Sequence, residues 1–136
     1  MAGLDPARMP TTEGAVASVL AKLPATVGGQ TVTSRGARQV KYADGTTFTA
    51  APLAEAGPGM TMRGFFTQFA GSGQFMVTAQ SNAGAPLLWF VGTGDAPYHH
   101  YVAAAASASG AWLFGVDASS PAAADDLVSG FAATLR

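Results

Sequence analysis

Residues 110–136 read GAWLFGVDASSPAAADDLVSGFAATLR. In the first part, Trp112, Phe114 and Val116 fall on alternate positions, which places them on one face of a strand over Ala111–Asp117. Leu113 falls on the other face, so the strand is expected to be covered on both sides for part of its length. Ser119-Ser120-Pro121 then reads as a helix start. Ser120 can accept from the free amides of a first turn, and proline loses nothing at the first helical position. Beyond it Leu127, Val128, Phe131, Ala132 and Leu135 recur at helical spacing as one apolar stripe. Asp125 and Asp126 are expected near the positive end of the helix dipole and Arg136 near its negative end. A strand, a tight turn and an amphipathic helix describe a helix folded back onto a sheet to close the core.

Upstream, the chain continues the sheet. Tyr98–Ser107 reads as a long strand, Leu87–Val91 as a central strand apolar on both faces, and Gln74–Gln80 as an alternating one. Together with the strand of the opening stretch these form an antiparallel meander of four. Met62, Phe65, Phe66 and Phe69 repeat at helical spacing and predict a helix over 60–70. The segment from Ala51 to Gly59, with Pro52, Gly57, Pro58 and Gly59, reads as a loop. Around Ala43-Asp44-Gly45 the register of a hairpin can be argued. A two-residue Asp-Gly loop would set Lys41 opposite Phe48. A three-residue loop with left-handed Gly45 pairs Val40 with Phe48 and Tyr42 with Thr46, which keeps apolar residues together and is preferred. Val27-Gly28-Gly29 reads as a turn before a short strand at Gln30–Ser34. Val16, Val19, Leu20 and Leu23 form the stripe of a first helix, capped by Thr11 or Thr12 and ended by Pro24. Residues 1–10 read as a flexible lead-in to one domain over 11–136. The expected fold is α+β: an antiparallel sheet of five to seven strands with two or three helices packed on it.

Composition narrows the function classes. The 136 residues suffice for a hydrophobic core without staples. Charged residues are 11 % and the net charge is −1, which gives no electrostatic reason to expect nucleic acid. The seven Lys and Arg gather only loosely, at Arg35, Arg38 and Lys41. Cysteine is absent, which removes disulfides, thiolate chemistry and cysteine metal sites. The apolar stretches are too short for a membrane span, and the first residues lack the apolar core of a signal peptide. A low-charge surface over alternating strands also favours association of like copies, so a homo-oligomer is among the expected states.

The residues that could carry chemistry are few. His99-His100, flanked by Tyr98 and Tyr101, are the two histidines of the chain. Adjacent strand residues point to opposite faces, so the two rings cannot share one metal, and a site would need a further ligand such as Asp95 or Asp117. The bland reading, a partly exposed aromatic strand, is preferred, and no metal or cofactor is expected. A serine hydrolase would need a Gly-x-Ser-x-Gly elbow, and Gly71-Ser72-Gly73 is a different tripeptide. Gly92-Thr93-Gly94-Asp95 lacks the lysine and later glycine of a phosphate loop. The aromatic residues are mostly core by period. Some could line an apolar pocket between helix 60–70 and the sheet, with Met60, Met62 and Met76 as an adaptable wall.

Leu23-Pro24, the Val40-x-Tyr42-x-Asp44-Gly45 hairpin and a last strand followed by Pro121 and a helix resemble the Mog1/PsbP-like fold, whose members include bacterial lipoproteins. The resemblance spans residues 20–136. The closing Gly130-Phe131-Ala132 and the alanine-rich strand at 102–108 depart from it. It implies an antiparallel sheet with helices on its faces and no shared catalytic site. The resulting expectation is a non-catalytic bacterial accessory or protein-interaction domain, with Tyr98, His99, His100 and Tyr101 as contact residues. The alternative is a binder of a small apolar ligand in the pocket beside helix 60–70. For its compartment, the envelope or exterior (as a mature chain) and the cytoplasm both stay open.

Overall fold

The computed structural model describes Arg8 and residues 10–56, 74–80, 86–92, 99–107 and 110–135. The expected helix over 60–70, Tyr98, Asp95, Arg136 and nearly all of the lead-in lie outside the described residues.

The first helix, α1 (Glu13–Ala21), starts where the sequence indicates, with the Thr12 hydroxyl accepting from the Ala15 amide at 3.2 Å. Its stripe of Val16, Val19 and Leu20 is buried, and so is Leu23 beyond its end. Strands β1 (Thr26–Val27) and β2 (Gln30–Arg35) follow, turning tightly at Gly28-Gly29. The sequence places Val27 in the turn; the structure instead pairs Thr26 and Val27 with β2 as β1, only two residues long. Gly28 adopts φ +55°, and a Cβ there would meet the Ala123 backbone nitrogen at 2.9 Å, so only glycine fits. Next come β3 (Gln39–Tyr42) and β4 (Thr47–Pro52) in the preferred hairpin register: Val40 faces Phe48, Gly45 takes φ +89°, and the Tyr42 amide donates to Thr46 oxygen at 2.9 Å.

One expectation is corrected at the end of β4. Ala51 and Pro52 belong to the strand, pairing with Leu113 and Trp112, and a single helical turn α2 (Leu53–Ala56) follows. Proline is tolerated because the β3 pairing ends just before it, at Gln39–Thr49 and the Ala50 amide to Arg38 oxygen bond, so the missing amide faces no described strand on that side. The second half is the expected meander: β5 (Gln74–Gln80), β6 (Pro86–Gly92), β7 (His99–Ser107) and β8 (Gly110–Ala118), then α3 (Pro121–Ala133).

All eight strands form one antiparallel sheet in the order β1-β2-β3-β4-β8-β7-β6-β5. Seven of them have four residues or more, and β1 adds a short eighth at one edge. Two locally connected antiparallel runs are therefore joined by the β4–β8 pair, in which Phe48 opposes Val116 and Ala50 opposes Phe114. Helices α1 and α3 share one face of this sheet, where Val40, Tyr42, Phe48, Trp112, Phe114 and Val116 meet Leu20, Leu127 and Phe131 in a single core. At its centre the rings of Phe48, Phe114 and Phe131 lie 5.0–6.1 Å apart in tilted contact. The architecture is the expected α+β, with the C-terminal helix packed on the sheet.

The Ser120 hydroxyl caps α3 at the Ala123 amide (3.2 Å) and Pro121 opens it. The expected dipole role of Asp125 and Asp126 is corrected, because both lie beyond the first turn of α3, which holds no acidic residue. The Asp126 carboxylate instead accepts from the Gly28 amide at 2.8 Å, tying the β1–β2 turn to α3.

A candidate interaction face on the sheet

Strand alternation gives the sheet two faces, and β8 shows how differently they are finished. On the helix face Trp112, Phe114 and Val116 are 5 %, 2 % and 2 % exposed. On the outer face Ala111, Leu113 and Gly115 are only half-buried and Asp117 is exposed. The expected double coverage of β8 is therefore complete on one side and partial on the other.

Register extends this outer face across the sheet, because directly opposed positions share a face. One row runs Val77, Trp89, Ala104, Leu113, Ala51. The next runs Phe75, Val91, Val102, Gly115, Thr49, Gln39. A third runs His100, Asp117, Thr47, Lys41, Ser34. The first row is apolar throughout, the second is apolar over β5 to β8 and polar over β4 and β3, and the third is polar throughout. Lys41, Thr49, Gln39 and Ser34 are exposed. The Gln39 amide reaches the Thr49 hydroxyl at 3.4 Å.

Three of the four contact residues expected from the sequence fall within the described strands. His100 lies opposite Asp117 and belongs to the outer face. His99 and Tyr101 lie opposite Ala118 and Val116, the positions of the helix face. The proposed patch is thus divided between two faces, and His100 alone joins the polar row. Both histidines lie past the end of the β6 ladder, which stops at Gly92–Tyr101.

The loose basic group has mostly internal duties. The Arg35 guanidinium donates to the oxygens of Leu20 (3.0 Å), Ala21 (3.4 Å) and Leu23 (2.7 Å), closing the C-terminal end of α1. Arg38, just before β3, lies 5.3 Å above the Trp112 ring and pairs with Glu13 and with Glu55 (2.8 Å), joining α1, β8 and α2 at one corner. The hydrogen bond from Arg38 holds the Glu13 carboxyl below its usual range despite some desolvation. Sequence spacing gave no sign of this corner, because its members are 13, 38, 55 and 112. A second polar joint links the β3–β4 turn to the start of α3: Asp44 accepts from the Ser119 hydroxyl and from the Thr46 amide at 3.0 Å. Among the described residues no three histidine or carboxylate side chains form a metal-holding group. No described helix is long and apolar enough to cross a membrane.

No family model, curated protein or solved structure matches the chain.

Proposed function

We propose that this chain is a non-catalytic bacterial accessory domain that binds another protein through the outer face of its sheet. The observation that carries this reading is the contrast on β8 between the sealed helix face and the half-buried Ala111, Leu113 and Gly115. An apolar area bordered by a polar row has the anatomy of a recognition surface, with a dry centre and a hydrated rim. His100, opposite Asp117, belongs to that rim. The envelope is the compartment we favour, and the Mog1/PsbP-like relationship, which rests on the sequence motifs alone, is part of the same proposal.

The test places a photo-crosslinking residue at Leu113 and, as control, at Thr31, an exposed position on β2. The reading expects one discrete protein adduct from position 113 in the host. The purified partner should then bind wild type, and Leu113→Glu should lose binding without loss of fold. Equal labelling at both positions overturns it. The alternative, a small apolar ligand held beside the sheet, would appear instead as a bound mass in native mass spectrometry.

A further inference from the structure

We propose that two copies of this chain associate through β5, antiparallel across a twofold axis, with Met76 opposite Met76 and Phe75 opposite Val77. Strand β5 ends the sheet, and among the described residues it pairs with β6 alone. An edge strand carries a row of backbone donors and acceptors that another strand can complete. The two ends of the sheet are finished differently. The far end is the two-residue β1, held against α3. Strand β5 has seven residues, QFMVTAQ, with no charge and no proline. A second identical copy meets no like-charge repulsion there, and a partner recognised by charge finds nothing to read.

Parity selects the register. A twofold axis perpendicular to a sheet keeps both copies' faces aligned only when paired residue numbers sum to an even value. The register centred on Met76 satisfies this and pairs Phe75 with Val77 twice, an aromatic against a β-branched residue, a favourable cross-strand combination. Since Phe75 opposes Val91 and Val77 opposes Trp89 within each copy, two apolar rows of four would run unbroken across the seam. The irregularity between Val77 and Ala79 lies beyond residues 75–77 and limits the seam to a short run, so the dimer is expected to be weak and concentration-dependent. This inference does not rest on the outer-face partner.

The chain has no cysteine, so Met76→Cys introduces a single thiol. Directly opposed strand residues lie about 4.5–5.5 Å apart at Cα, within disulfide reach. Under mild oxidation at high concentration, Met76→Cys should form a covalent dimer about tenfold faster or more than Thr31→Cys. Light scattering should show a wild-type dimer that Val77→Glu weakens and that Phe75→Lys/Val77→Glu restores in a salt-sensitive form. A wild type that stays monomeric, or equal oxidation of the two cysteine variants, overturns the proposal. If Val77→Glu fails to fold, the cysteine comparison decides alone.

Discussion

Gly130 lies in the last third of α3, where helix propensity alone favours alanine over glycine by about 1 kcal/mol. The structure reverses that sign. A Cβ at Gly130 would lie 2.6 Å from Cδ and 2.7 Å from Cγ of Pro24. A proline ring has no rotamer to escape into, and its neighbours hold the backbone. The Tyr42 hydroxyl donates to the Pro24 carbonyl at 2.6 Å, and Arg35 donates to the Leu23 carbonyl at 2.7 Å. The clash therefore has to be relieved by moving α3 or by breaking those bonds, an overpacking cost of about 1–3 kcal/mol. Gly130→Ala should be destabilising by about 1 kcal/mol after the propensity gain is subtracted. Gly14, in the first turn of α1, has nothing within 4 Å of its would-be Cβ. Gly14→Ala should therefore be stabilising, by up to about 1 kcal/mol. Urea unfolding followed by circular dichroism, with both variants on one preparation, reads the opposite signs. In a Pro24→Ala background the ring is gone, and Gly130→Ala should turn favourable, a coupling of about 1–3 kcal/mol. Equal stabilisation by the two alanines, or absence of coupling to Pro24, would refute the account of how the Leu23–Gly28 connection sits on α3.

Three further outcomes follow from the same packing. Phe131→Ala removes the ring that touches both Phe48 and Phe114 at the core centre, and should cost about 3–5 kcal/mol in urea unfolding. Arg35→Met removes donors from three carbonyls at the end of α1. It should cost about 1.5–3 kcal/mol, with hydrogen-exchange protection lost first around residues 20–25. At Asp44, burial works to raise the carboxyl, but hydrogen bonds from Ser119 and Thr46 outweigh it and hold the folded group below the ordinary aspartate range. A depressed folded value contributes stability above the unfolded one and loses it as pH falls through the folded one. Melting of wild type and Asp44→Ala should therefore differ at neutral pH and converge below about pH 4.

What could be read from sequence is what a short window contains. The β8–α3 unit, the stripe of α1 and the three-residue Ala43-Asp44-Gly45 loop each carry their own periodicity or turn chemistry, and each forms as expected. Strand β1 escaped because two residues have no period to detect. Pro52 reads as a loop residue in its own window because its place depends on where the neighbouring ladder stops, a fact about β3 and not about Pro52. Asp126 reads locally as a helix-dipole residue because its partner, the Gly28 amide, is 98 residues away. The Tyr98–Tyr101 stretch looks like one surface in sequence, and strand alternation assigns its described members to two.

The outer face belongs to the same class of hidden feature. Most of its polar positions come from β2 to β4 and most of its apolar ones from the meander, and the two groups meet where β4 pairs with β8. That pairing is strongly specified. If β8 slipped by one residue against β4, Asp117 would move opposite Phe48, on the helix face, with no charge of the core to meet it. Phe114 and Val116 would pass to the outer face at the same step. The cost of a buried carboxylate and of exposed core residues fixes the register, and the register fixes where Leu113, Asp117 and His100 stand relative to Lys41 and Thr47. The core therefore determines, through the β4–β8 register, the composition of the face it does not use.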